Sequence, residues 1–278
     1  MKVSLMAIAF FGSVSMLGQA VSAFHPPLPP SLHPTTISQA TEQVDLALLA
    51  QMVTNLLKSD RYQTDSQIEF KVGSKGTERT IYLQSKMIMQ SGRKFRAEIT
   101  YNKPGKSPQP GNLVISDGKQ VWIYRSDLKQ YAVTSYFDFK DSNDWVLIGL
   151  SSFVFLDFPE EDRKVAANGN LSQRNVLTYL NVDGRTGFKG IRQKVDGQEV
   201  YVYNYKHPTD EFTLNAVVNP QTANLKQVQL IGKSKNLDIF VTERIVNKIT
   251  NPIIRTGTFR FFPPKGTKRV KTLSIKPL

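Results

Sequence analysis

The chain has 278 residues, 36 Lys and Arg against 23 Asp and Glu, a net charge of +13, and no Cys. The missing thiol excludes disulfides, thiolate metal centres and a lipid-modified cysteine, and the length suits one large domain or two small ones. The basic excess attracts anions: nucleic acid if the chain is cytosolic, an anionic membrane surface or an acidic partner if it is exported. A solvated basic surface without a partner accounts for it equally.

Residues 1–23 read as a signal peptide. Lys2 precedes an apolar run from Val3 to about Phe11, and the small residues Ser22 and Ala23 end it, with cleavage after Ala23. Gly12, Ser13 and Ser15 interrupt the run and make it too short to prefer spanning a bilayer. A retained anchor is the alternative. For an exported protein, the absence of Cys fits a bacterial periplasm. Residues 24–37, with Pro26, Pro27, Pro29, Pro30 and Pro34, form an extended spacer. Residues 38–278 then read as a single folded domain.

The first element is a helix over residues 38–59. Val44, Leu48, Met52 and Leu56 recur at intervals of four, beside Leu49, Val53 and Leu57, and Ser38 or Thr41 caps the start. Strand alternation follows. Ile68, Phe70 and Val72 alternate with Gln67, Glu69 and Lys71; Ile81, Leu83, Met87 and Met89 repeat the pattern, as do Phe95, Ala97, Ile99 and Tyr101.

Around Asp117-Gly118, residues 114–133 read as a hairpin with a two-residue turn, continuing into a strand near residues 130–135. That register sets Val114 opposite Val121 and Leu113 opposite Trp122. One face carries Leu113, Ile115, Trp122 and Tyr124, the other Val114, Val121 and Ile123. Both are apolar, whereas an antiparallel sheet usually keeps one face wet, so something covers the second.

Residues 143–156, NDWVLIGLSSFVFL, break the rhythm. They read as a mostly helical flap over an apolar cavity or as an ordinary buried helix or strand. Glu160, Glu161 and Asp162 mark a polar boundary. Sheet signals resume with Asp183-Gly184 and with Asp196-Gly197, which joins residues 188–195 to 198–205. Further strands are expected over residues 212–218, 225–231, 237–249 and 256–262, with a turn at Asn219-Pro220-Gln221-Thr222.

Catalytic signatures are sparse. His25 and His33 lie in the spacer, and His207 stands alone beside Pro208, without the converging partners that a metal or triad site needs. No nucleophile elbow, zinc-protease helix, phosphate loop or dinucleotide fingerprint occurs. Asp157, Glu160, Glu161 and Asp162 lack calcium-loop spacing. A carbohydrate-active enzyme using two distant carboxylates is a third possibility without positive support. The reading is therefore of no enzyme, no cofactor and no metal.

SDGKQVWIYRSDLKQ, through Ser116, Asp117, Gly118, Lys119, Trp122, Tyr124 and Gln130, resembles a signature of the LolA-like periplasmic lipoprotein carriers, the superfamily that includes LolB-like and RseB-like proteins. TFRFFPPKGTKRV, through Phe259, Phe261, Pro263, Pro264, Gly266 and Val270, resembles that family's C-terminal end, and KFRAEITYNKPG is a looser match. The resemblance spans about residues 46–270, while residues 160–206 match poorly and read as an insertion.

The resemblance implies an incomplete, half-open antiparallel β-barrel, mainly β with helices, whose apolar concave side holds acyl chains beneath a helical lid. It also implies an arginine that holds the lid by hydrogen bonds. The corresponding position is near Ser91, and Arg93, two residues on, is the candidate. The expected cavity and lid residues are Met52, Leu83, Met87, Phe95, Trp122, Tyr124, Trp145, Leu147 and Phe153.

The expected function is a monomeric periplasmic carrier or binder of lipid or lipoprotein acyl chains, passing them between membranes or partners in outer-membrane biogenesis. The alternative is an envelope sensor that binds lipid or misfolded protein and signals to a membrane partner. Expected partners are a lipid or acylated lipoprotein, an inner- or outer-membrane protein and a transient anionic membrane surface, and no nucleic acid.

Overall fold

The computed structural model describes residues 44–74, 77–102, 109–169, 171–179, 187–206, 212–234 and 237–275. The signal segment, the spacer, the expected caps Ser38 and Thr41, the Asp183-Gly184 turn and all three histidines lie outside them. The strands in chain order are β1 (Arg61–Ser74), β2 (Thr77–Gln90), β3 (Lys94–Asn102), β4 (Gln109–Asp117), β5 (Gln120–Arg125), β6 (Gln130–Ser135), β7 (Phe188–Val195), β8 (Gln198–Lys206), β9 (Phe212–Val218), β10 (Leu225–Ser234), β11 (Leu237–Thr250) and β12 (Lys268–Arg269). The helices are α1 (Leu46–Leu57), α2 (Tyr136–Asp141), α3 (Leu150–Asp157), α4 (Glu160–Ala167) and α5 (Gln173–Tyr179), with a 3-10 turn at Trp145–Leu147.

All the strands join one open sheet in the order β12-β6-β5-β4-β3-β2-β1-β11-β10-β9-β8-β7. The pairings are antiparallel except for short β12, which runs parallel to β6. Two meanders, β1 to β6 and β7 to β11, meet at the seam between the two long strands β1 and β11. β6 and β7 therefore lie near opposite edges, and the chain between them carries α2 to α5 across the sheet. The architecture is the half-open barrel, mainly β, with its helices on one side.

Alternation decides which side chains face those helices. On β3, Phe95, Ala97, Ile99 and Tyr101 enter the core, while Arg96 and Glu98 pair outside at 3.0 Å. On β1 and β2 the inward residues include Ile68, Phe70, Leu83, Met87 and Met89. Burying each large apolar side chain contributes about 1.5–3 kcal/mol, so the helix-facing surface is where the fold gains most.

α1 starts at Leu46 rather than near residue 38. Asp45 caps it, accepting from the Leu48 N–H at 2.9 Å, a short polar side chain taking one orphan donor of the first turn. Leu48, Leu49, Met52, Val53 and Leu57 are its buried face.

The same dipeptide makes two different turns. At Asp196-Gly197 both residues have positive φ, 50° and 76°, and Val195 pairs with Gln198, the two-residue turn expected. At Asp117-Gly118 the Asp side chain instead accepts from the N–H groups of Lys119 and Gln120, both at 2.8 Å, which opens a wider loop. Ser116 then pairs with Val121, Val114 with Ile123 and Leu113 with Tyr124. The register differs from the expected one by two residues, an even slip that leaves every side chain on its expected face.

The expected strand over residues 256–262 is a turn, with Thr258 N–H donating to Arg255 O and Arg260 N–H to Gly257 O. This C-terminal stretch covers the outer face of the hairpin. Phe261 packs on Tyr124 and Tyr131 at centroid distances of 6.1 and 5.2 Å. The chain then pairs with β6 as β12 and buries Ile275 in the core, its carbonyl accepting from Tyr101 and Asn112. The second dry face of the hairpin is thus covered by the protein's own tail. Among the described residues, no helix is long and apolar enough to cross a membrane.

Candidate functional site

The candidate site is the helix-facing side of the sheet and the segment across it, residues 136–157. Trp145, Val146, Leu147, Ile148, Leu150, Phe153, Phe155 and Leu156 are all buried. A segment apolar on every side must be enclosed, and the sheet's concave face encloses this one. Trp145 meets Phe153 edge-on at 4.5 Å, Phe155 meets Tyr62 of β1 at 5.2 Å and Phe139 of α2 lies 6.0 Å from Phe95 of β3.

Seven of the nine expected cavity residues are brought together here. Met52, Leu83, Met87, Phe95, Trp145, Leu147 and Phe153 belong to one core and expose at most 8% of their surface. Where a gap between sheet and helices was expected, the lid's own side chains stand against these residues. Trp122 and Tyr124 are placed elsewhere: they alternate with inward Val121 and Ile123 and stand half-buried on the outer face, Tyr124 beneath Phe261.

The lid is fastened by a few polar contacts that sequence reasoning missed. Glu243 of β11 is fully buried (0% exposed) and accepts from Ser151 N at 2.7 Å, Ser151 Oγ at 2.9 Å and Ser66 Oγ at 2.8 Å. Burial pushes its carboxyl above the ordinary carboxylate range against these three donors. Ser85 Oγ of β2 donates to Ile148 O at 3.1 Å. Asp144, just before the 3-10 turn, accepts from Ser274 Oγ and Ile275 N at 2.9 and 2.7 Å, tying the lid to the C-terminal tail. Tyr136 and Lys140 of α2 both reach Asp157 of α3, at 2.8 and 2.5 Å. Gly149 lies between the 3-10 turn and α3 with φ 122° and ψ 127°.

Strand parity was the available signal for Glu243, since it continues the inward series Ile239, Val241 along β11. Arg93 does touch the lid, but through rings. Its guanidinium lies 4.7 Å from the Phe137 centroid and 5.4 Å from that of Tyr136, both on α2. Phe137 is 57% exposed, so Arg93→Ala is expected to lower stability by only about 1 kcal/mol in urea unfolding.

A cleft of about 340 Å³ opens where the end of α1, the turn before β10 and the end of β11 meet. Tyr62, Thr64, Met89 and Ser151 lie buried at its floor, and Lys58, Lys226 and Asn247 are exposed at its rim. Ser151 belongs to both the cleft and the Glu243 contact. The cleft therefore reaches the lid.

No protein-family model matches the chain, and no curated protein matches it. Solved structures similar to it include an uncharacterised conserved protein from Thermus thermophilus, 12% identical over 81% of this chain and 98% of that one, with a TM-score of 0.43. Others are LprF from Mycobacterium bovis, 9% identical over 77% and 97% of the two chains at 0.39, and a LolA superfamily protein from Nitrosomonas europaea, 10% identical over 76% and 97% at 0.30. The likeness concerns the course of the backbone and assigns no residue a role.

Proposed function

We propose that the protein binds acyl chains of lipid or lipoprotein on the concave face of the sheet, and that residues 145–156 occupy that face when no chain is bound. The supporting observation is that a connection, rather than a strand, supplies the packing there: an apolar segment held by Glu243, Ser85 and Asp144 beside a Gly-only backbone position. Export to the periplasm and passage of the chain between membranes or membrane-bound partners belong to this reading.

The lid's competition with the ligand serves transfer. Burying a dozen methylenes is worth on the order of 10 kcal/mol, which would hold a chain in an open hollow too firmly to let go. A ligand that must displace Phe153, Phe155 and Leu156 gains only the difference, so loading and release approach balance.

Native mass spectrometry of protein taken from the periplasm, with lipid extraction, tests the reading. The expected result is a bound acyl species and, in a Trp122→Phe background, a change in Trp145 emission when a fatty-acyl probe is added. Protein that is always empty and takes up no probe would refute it.

A further inference from the structure

The cleft at the end of β11 carries a cluster of positive charge that the lid mechanism does not use. Lys58, Lys226 and Lys248 line it, and no Asp or Glu does. Among the described residues, none of the three ammonium groups forms an ion pair within 4.0 Å. Two carboxylates stand behind lining residues: Asp65 accepts from Asn247 Nδ2 at 3.1 Å at the rim, and buried Glu243 accepts from Ser151 Oγ at 2.9 Å on the lid side.

Lys248 is the inner member. Its ammonium donates to Asn55 O at 3.2 Å and lies 4.2 Å from the Tyr62 ring centroid, at the negative end of α1. That seat accounts for one of its donors and leaves the charge half-buried beside Lys58. Like charges around a low-dielectric cleft repel, and an entering anion relieves them.

We propose that this cleft takes a phosphate-type anionic group, gripped by Lys58, Lys226 and Lys248. On the acyl-binding reading, from which this follows, the group is a lipid headgroup whose chain passes over Met89 to Ser151 and the lid. The same chemistry fits free phosphate, so both sources are put to the test.

Burial and Lys58 lower the Lys248 ammonium to about 8. Its positive charge is present below that pH and lost above it, so anion affinity falls as pH rises through about 8. A bound anion shifts the loss upward.

The experiment is calorimetric titration of the full chain with dihexanoyl phosphatidylglycerol, with octyl glucoside as an uncharged alkyl probe, and with inorganic phosphate. Lys58 and Lys226 are exposed, so Lys58→Gln/Lys226→Gln preserves the fold, as its melting curve will verify; Lys248→Met is the second variant.

The phosphatidylglycerol affinity is expected to fall about tenfold in the double variant while octyl glucoside binding is unchanged. Phosphate competing with phosphatidylglycerol, but binding more weakly, identifies the headgroup as the source; phosphate binding as tightly alone identifies the free anion. Phosphatidylglycerol binding equally well to all three proteins overturns the anion site and leaves the acyl reading standing. Lysine-dependent phosphate binding with no uptake of either alkyl compound does the reverse.

Discussion

Glu243→Ala is expected to destabilise the closed protein by about 3 kcal/mol and to free the lid from the sheet. The substitution leaves a void and strips the Ser151 N–H and the hydroxyls of Ser66 and Ser151 of their shared acceptor. Hydrogen exchange should accelerate across residues 145–157 while the β1–β11 seam stays protected. Unchanged exchange in that segment would show that the carboxylate does not fasten it.

Glu243→Gln is expected to behave oppositely, because the amide keeps an acceptor for Ser151 N–H and removes a charge from the core. The pH dependence separates the two effects. The folded carboxyl has a pKa raised by burial, so between the ordinary glutamate range and that raised value the native state holds more protons than the unfolded chain. Stability then falls as pH rises through this window and is greatest below it. Urea midpoints measured from about pH 4 upward should show this decline in the wild type and its loss in Glu243→Gln.

The second large effect is expected at Gly149. Its φ of 122° is a conformation side chains rarely adopt, and an added Cβ would stand 2.7 Å from Glu243 Oε1. Gly149→Ala should cost about 3 kcal/mol, through backbone strain and displacement of the carboxylate together. Gly169 provides the control: its φ is 72° and an added Cβ meets nothing within 4 Å. Gly169→Ala should cost only about 1 kcal/mol. Equal losses at the two positions, measured by urea unfolding, would mean that the approach to Glu243 is irrelevant. Because an added Cβ at Gly149 would meet Glu243, the double variant Gly149→Ala/Glu243→Ala should lose less than the sum of the two single losses.

Strand-level features were legible because alternation is a local property. β6, β7 and β9 begin and end where the pattern places them, and the two faces of the β4–β5 hairpin hold the residues expected. Which face turns inward is not local. Leu113, Ile115, Trp122 and Tyr124 are as apolar as Val114, Val121 and Ile123, and only the route of the distant tail, with Phe261, makes the former the outer face. The aromatic pair was therefore expected in the cavity and stands behind it.

Helices were harder. α2 follows β6 directly, capped by Ser135, and has only six residues; α4 begins with Glu160, Glu161 and Asp162, which read as a charged boundary but suit the positive end of a helix. The lid was legible as an apolar run, and its filling of the hollow was not. Periodicity reports that a surface must be covered and is silent on whether protein or ligand covers it.

The topology has one more implication. Because the covering segment leaves β6 near one margin of the sheet and returns at β7 on the other, it spans the arc as a string spans a bow. Such a string cannot swing free like a hinged door, being tethered at both ends. On the acyl-binding reading, a guest lifts the middle of that string, and the length of the span then sets how bulky a guest the arc admits.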